Sequence, residues 1–194
     1  MSLDTALKEF ATSFAAGTVN MGTVEYRAPE PIVEPFPLGA ILKEYYSRLR
    51  MSEKPHLGGE FHLMLFTLEQ LERAQHGWRW VSDKGGPARE NPNWNKHWII
   101  IADRDGDAIF VDDSTAEGAV FGSIMQRNFA IAKDLASFFD VMAEAMTLER
   151  STFNYDVRDD DFNFYPHFLD EVNAIALRVL GPDGAAGFMK FFFE

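Results

Sequence analysis

The densest group of potential metal ligands in the sequence is an aspartate series within residues 103–113. Asp103, Asp105 and Asp107 are each separated by one residue, and Asp112 follows a short apolar run. Calcium and similar cations take several carboxylate oxygens, so a cation-binding protein or enzyme using these four side chains is one hypothesis. The spacing departs from an EF-hand loop in the positions of its glycine and its final glutamate. Asp-Gly between two apolar runs is also a preferred hairpin turn, and we favour that interpretation.

The other residue patterns favour neither catalysis nor metal binding. The five histidines lack the helical spacing with glutamate that a zinc helix requires, and the sequence contains no G-x-S-x-G, P-loop or G-x-G-x-x-G motif. The absence of cysteine excludes disulfides and thiolate metal sites. We therefore expect no enzyme activity, no catalytic residues, no cofactor and no metal.

Two segments are candidates for binding another protein. Tryptophan is frequent at interaction hot spots, and Trp94 lies in a polar Asn-Pro-Asn-Trp-Asn-Lys segment. An exposed contact and a core position are both open for it. The second candidate is the acidic loop, residues 156–161, which can be a solvated connection or an acidic face for a basic partner. Its candidate binding residues are Asp156, Asp159, Asp160 and Asp161.

Charge narrows the classes of partner. Thirty acidic residues against 18 basic ones give a formal net charge of −12. This charge disfavours nucleic-acid binding, which needs clustered Lys and Arg, and it would speed the encounter with a basic protein. The longest apolar runs are far below the ~20 residues of a membrane span, and the first 14 residues lack a secretory pattern. We expect a cytoplasmic protein without membrane contact.

Hydrophobic periodicity predicts an alternation of helices and strands. The pattern predicts helices over 3–14, from Pro37 through Leu49, over 68–76 behind a Thr67/Gln70 capping box, and from Asp134 onwards. Strands are predicted over 60–66, 97–112 as a hairpin, 119–125 and 129–132. A last helix is expected to stop at Gly181-Pro182. The Phe-rich tail beyond it should dock on the body or on a second copy of the chain.

The order of these elements resembles the SUKH superfamily, which includes the domain of yeast cell-wall assembly regulators and bacterial relatives. Three segments carry the resemblance. They are Pro37-Leu38 with the following Tyr45-Tyr46 helix, the ribbon from Trp98 to Asp112, and residues 118–139 with their last strands and closing helix. The likeness covers residues 37–147. It departs after the Tyr45-Tyr46 helix, where Arg50-Met-Ser replaces the Asn-Gly often found in the family.

The resemblance implies an α+β fold, with a mixed or antiparallel central sheet flanked by helices and, here, a helical C-terminal extension. We expect one domain over 1–147 with its core at 37–147, and an extension over 148–194 packed on it. The resemblance also implies a protein-binding module without catalytic residues, since many bacterial members resemble immunity proteins that neutralise a toxin. The hypothesis is an immunity protein that occludes a basic toxin, with homo-oligomer formation through the Phe-rich tail left open.

Overall fold

A computed structural model describes residues 1–52, 54–82 and 86–194. Its helices are α1 (Leu3–Ala16), α2 (Ala40–Arg48), α3 (Leu71–Ala74), α4 (Leu135–Ser151) and α5 (Pro166–Phe193), with a 3-10 turn over Leu68–Gln70. Its strands are β1 (Val24–Tyr26), β2 (Leu49–Met51), β3 (His56–Leu57), β4 (Leu63–Leu65), β5 (Trp80–Val81), β6 (Arg89–Glu90), β7 (Trp98–Arg104), β8 (Asp107–Asp112), β9 (Ala119–Ile124) and β10 (Arg127–Ala132). The predicted α+β fold class is confirmed.

The central sheet contains six strands in the order β10-β9-β8-β7-β4-β3, and each neighbouring pair is antiparallel. The predicted ribbon from Trp98 to Asp112 forms its centre as the β7–β8 hairpin, in which Trp98 pairs with Asp112 and Arg104 with Asp107. Two short ribbons, β1–β2 and β5–β6, lie outside this sheet. Within the central sheet, two residues connect β7 to β8 and two connect β9 to β10, so these strands pair with their neighbours in sequence.

The sheet is buried on both faces because its central strands alternate between two apolar clusters. On the inner face, residues such as Ile101, Ile109 and Val111 join a core with α1, α2, α4 and α5. On the outer face, Ile100 and Phe110 join a smaller layer with Trp94. Successive side chains of a strand point to opposite faces, so one continuous apolar run supplies both layers.

The start of α2 differs from the prediction. Pro37 was expected at its first position, but the helix begins at Ala40 with Gly39 as its N-cap. The preceding segment is held extended because the Leu38 N–H donates to Glu34 Oε2 at 2.9 Å and the Gly39 N–H donates to the Asp113 carboxylate. A Cβ at Gly39 would lie 2.3 Å from the Asp113 carbonyl oxygen, so this approach requires glycine.

The end of the last helix also differs. Gly181 has a left-handed φ of 75°, which bends α5, but Pro182 then starts a further helical segment instead of ending the structure. The tail's Phe188, Phe191 and Phe192 are buried against the body of the same chain. A Cβ at Gly187 would lie 1.8 Å from the Ala130 carbonyl oxygen, so the small glycine lets this segment pack directly on β10.

Candidate functional site

The acidic loop connects α4 to α5 and is exposed at each of the four predicted binding residues, Asp156, Asp159, Asp160 and Asp161. Three of these carboxylates, Asp156, Asp160 and Asp159, raise the pKa of Tyr165 by unfavourable charge interaction with its phenolate. The four residues therefore present concentrated negative charge to solvent.

Asp159 has a structural task in addition to its charge. Its Oδ1 accepts hydrogen bonds from the backbone N–H groups of Asp161 and Asn163 at 3.0 and 2.9 Å. The Asp159 N–H donates in turn to the Asn163 carbonyl at 2.9 Å. The loop thus closes into a tight turn whose tip carries Phe162, with a left-handed φ of 65° and 79% of its surface exposed. Bulky residues rarely adopt this backbone region. The hydrogen bonds of the turn therefore hold the Phe162 backbone in a conformation that phenylalanine does not favour.

Arg158 anchors the loop to the body of the protein. Its Nε and Nη2 donate to the two Glu60 carboxylate oxygens at 2.9 and 2.7 Å, and its guanidinium lies 3.6 Å above the Phe164 ring. Its Nη1 also donates to the Phe162 carbonyl at 2.6 Å. This bidentate pair raises the pKa of Arg158. The loop is therefore a positioned surface rather than a loose connection.

Glu60 is itself positioned by a buried carboxylate. Glu149, near the end of α4, is 2% exposed, and its Oε1 accepts the Glu60 N–H at 2.8 Å. Burial raises the pKa of Glu149 to about 7, with the Glu60 carboxylate contributing in the same direction. Gly59 lies against this carboxylate, at a distance where a Cβ would be 2.4 Å from Oε1. This contact turns the chain before Leu63, so β4 is shorter than the strand predicted over 60–66.

Arg104 fastens the C-terminal segment at the same end of the sheet. It donates to the carbonyl oxygens of Phe61, Phe191 and Phe192 at 3.2, 2.9 and 2.9 Å. Burial lowers the pKa of Arg104, whereas Asp105, Asp107 and Glu60 oppose that change. The arginine inside the aspartate motif is therefore a tether between the central hairpin and the last turns of α5.

Three of the four aspartates of the motif accept hydrogen bonds from backbone N–H groups at the connections between strands of the sheet. The Asp103 Oδ1 accepts the Gly106 N–H at 3.2 Å, and the Asp107 Oδ1 accepts the Met125 N–H from the neighbouring β9–β10 turn at 3.1 Å. The Asp112 Oδ1 accepts from the Ser114 N–H at 3.1 Å. Among the residues that the structure describes, no group of three or more His, Asp or Glu side chains could hold a metal ion. The cation-site hypothesis therefore gains no support from this geometry.

The structure places Trp94 in the core and not at an exposed contact. Its side chain is 8% exposed, its ring lies 5.0 Å from the Phe110 ring, and its Nε1 donates to the Trp98 carbonyl at 2.9 Å. Of the two positions left open for Trp94, the core position is the observed one. The polar neighbours of Trp94 could not decide between the two, because only the indole turns inward.

The sequence patterns missed four residues that build this end of the molecule: Glu60, Arg104, Glu149 and Arg158. Each acts on a residue distant in sequence, so local spacing carried no signal for them. A weak signal did exist for Phe162, an aromatic residue directly after three consecutive aspartates.

No family model, no curated protein and no solved structure matches this chain. Among residues 1–52, 54–82 and 86–194, no helix has the length and apolar character needed to cross a membrane.

Proposed function

We propose that this chain is a non-enzymatic protein-binding module that acts in the cytoplasm as an immunity protein, neutralising a basic toxin by covering its active site. The observation that carries the proposal is the acidic loop, which holds exposed carboxylates and the outward Phe162 on an anchored frame. The resemblance of residues 37–147 to the SUKH superfamily points to the same function.

The physical mechanism would be occlusion, with no bond made or broken. The net charge of −12 attracts a basic surface from a distance and orients the approach. Phe162 then supplies apolar area at the centre of the charged turn, and truncating such an aromatic anchor commonly costs about 2 kcal/mol or more of binding. Because Arg158 and Asp159 fix the turn before binding, little ordering entropy remains to oppose the complex.

The test compares two variants with equal charge change. The loop variant carries Asp156→Asn, Asp160→Asn and Asp161→Asn, which leaves the structural Asp159 in place. The control carries Glu117→Gln, Asp170→Asn and Glu171→Gln, three carboxylates that are also exposed. All three proteins are tagged and expressed in the native cell, and any captured protein is purified and tested for an activity that the wild-type chain inhibits.

We expect the wild-type and control chains to capture and inhibit the same basic protein, and the loop variant to bind it at least tenfold more weakly. Equal binding by the loop variant would remove the loop from the mechanism. Capture of a protein whose activity is unchanged by the chain would contradict neutralisation.

A further inference from the structure

A separate cavity of about 430 Å³ lies on the outer side of the sheet, between β4 and α3. This volume falls within the range of about 300–1,000 Å³ that is typical of small-molecule sites. The acidic loop does not line it. The cavity is therefore a candidate site independent of the proposed toxin surface.

One part of its lining is apolar and carries two aromatic rings. Phe66 and Trp78 are both half-buried at the margin of the outer apolar layer, where the Trp78 ring lies 5.4 Å from the ring of Trp94. Met64 adds a thioether from β4, directly opposite Asp103 in the strand register. Directly opposed residues of antiparallel strands project to the same face, so both belong to this side of the sheet. Such walls suit a planar ring.

A buried glutamine next to α3 fixes one side of the cavity to the sheet. The Gln75 side chain donates from Nε2 to the Ile100 carbonyl at 3.1 Å and accepts the Ile100 N–H at Oε1 at 3.0 Å. Its amide thus takes the place of a strand neighbour for β7 beyond the end of β4. Because Gln75 directly follows α3, this pair fixes the helix and the turn to Trp78 against the sheet. The walls are in place before any ligand binds.

The charge of the cavity differs from that of the whole chain. Lys54 and Arg73 line it, together with His76. Neither Lys54 nor Arg73 forms an ion pair with a residue that the structure describes, whereas Arg48 and Arg158 do. Among the described residues of the lining, Asp103 carries the one carboxylate, and it offsets part of this positive charge. In a chain of net charge −12, a lining whose described residues include two cations and one carboxylate is locally positive, and beside its aromatic side chains it favours an anion.

We propose that this cavity binds a small aromatic carboxylate, with its ring between Phe66 and Trp78 and its charge facing Arg73 and Lys54. Arginine pairs with carboxylates through two parallel hydrogen bonds, and indole and phenyl faces stack on planar rings. An aromatic cation of the same shape would place its charge against Arg73 and Lys54. Binding should therefore depend on the sign of the ligand charge.

Three probes of nearly equal shape test this: benzoate, benzamide and benzamidine. The readout is a titration of the full chain by ¹⁵N–¹H NMR, following the Trp78 indole N–H signal assigned with a Trp78→Phe variant. We expect benzoate to shift this signal with a dissociation constant of order 1 mM, which is reasonable for about nine ligand atoms. Benzamide should bind about tenfold more weakly, and benzamidine should leave the signal in place. Equal affinities for benzoate and benzamide, or a stronger benzamidine effect, would overturn the proposal.

A matched pair of charge variants locates the site. Arg73→Gln removes a cation from the cavity and should weaken benzoate about tenfold, because a charge-assisted hydrogen bond is lost. Arg127→Gln removes an exposed cation at the start of β10 and should leave benzoate affinity unchanged. An unchanged affinity in Arg73→Gln would show that the cavity does not hold the anion. The loop variant described for toxin binding should bind benzoate as the wild type does, so each proposal can fail without the other.

Discussion

The acidic loop and the tail helix that follows it put aromatic residues to opposite uses. The tail, residues 182–193, buries Phe188, Phe191 and Phe192 against the sheet, whereas the loop leaves Phe162 79% exposed. The tail is held by Arg104 on backbone carbonyls, and the loop by Arg158 on the Glu60 carboxylate. One extension thus supplies both a brace for the sheet and an exposed acidic surface, which is the surface proposed to bind a partner. The difference indicates which changes should affect folding and which should affect only binding.

The sharpest test of this comparison truncates one phenylalanine in each region. Phe188→Ala removes a fully buried ring that lies 4.8 Å from the Phe192 ring. It should lower the free energy of unfolding by about 3–5 kcal/mol, through lost burial and the cavity left behind. Phe162→Ala should change it by less than about 0.5 kcal/mol. Urea titration followed by circular dichroism measures both.

A loss of stability in Phe162→Ala similar to that in Phe188→Ala would mean that the loop braces the fold as the tail does. An unchanged Phe188→Ala would mean that the tail is not docked in solution. In that case its exposed rings would be available to a second copy of the chain, and the mass in solution would increase with concentration.

The next largest effect concerns a buried carboxylate of α4, which contrasts with the exposed carboxylates of the loop. Glu149 is buried, and its pKa of about 7 lies above the ordinary value of 4.5. An acid with a raised folded pKa is protonated without cost at low pH. Its ionisation opposes folding as the pH rises from 4.5, and the penalty levels off above 7, at about 3 kcal/mol. Glu149→Gln should remove this decline and be more stable than wild type above pH 7, because its amide oxygen can still accept the Glu60 N–H.

The control for Glu149→Gln is Asp160→Asn, which neutralises an exposed carboxylate of the loop. Its curve of unfolding free energy against pH should run parallel to that of wild type between pH 5 and 8. A Glu149→Gln curve that also runs parallel to wild type would show that Glu149 ionises normally and that water reaches it.

The two arginines provide a third, smaller contrast. Arg104→Met keeps the apolar stem but leaves the Phe191 and Phe192 carbonyls without their donor, which should cost about 2 kcal/mol. Arg158→Met breaks a partly exposed ion pair and should cost about 1 kcal/mol or less. Hydrogen exchange of the tail amides separates the variants, because only Arg104→Met should speed exchange over residues 182–193. Equal protection of the tail amides from exchange in both variants would contradict the role of Arg104 as a tether.

Local patterns predicted the long elements of this fold, but not the short strands β1, β2, β3, β5 and β6. The β7–β8 ribbon and the apolar face of α4 both follow from residues close together in sequence. So does the N-cap of α4, Asp134, whose side chain accepts the Ser137 N–H at 2.6 Å. The Asp105-Gly106 turn is of this kind too, since both residues have positive φ and glycine favours that conformation. The β9–β10 turn also has two residues with positive φ, Met125 and Gln126. Neither residue type is typical of such turns, so the sequence did not predict this one.

What the sequence could not show are contacts between distant residues. Nothing near Glu149 indicates that its carboxylate meets Gly59 and Glu60, and nothing near Arg104 indicates that it binds carbonyls at the end of the chain. The burial of Trp94 could not be predicted either, because its neighbours in sequence are polar and exposed whereas its indole packs against the distant Phe110 ring. For the candidate site, composition identified the charged residues, but only the fold shows how Arg158 and Asp159 present them.

The triple variant Asp156→Asn, Asp160→Asn and Asp161→Asn should have the smallest effect on folding. It is also the most direct test of the loop as a binding surface. These exposed side chains should change the free energy of unfolding by less than about 0.5 kcal/mol, because water screens them. Their effect should appear instead in the association rate with the captured basic partner, measured by stopped flow between about 20 and 500 mM salt. The wild-type rate should fall steeply with salt, whereas the rate of the triple variant should start lower and fall less. Identical salt dependence in both proteins would mean that steering arises from the rest of the negative surface, and the loop would then differ from the tail only in exposure.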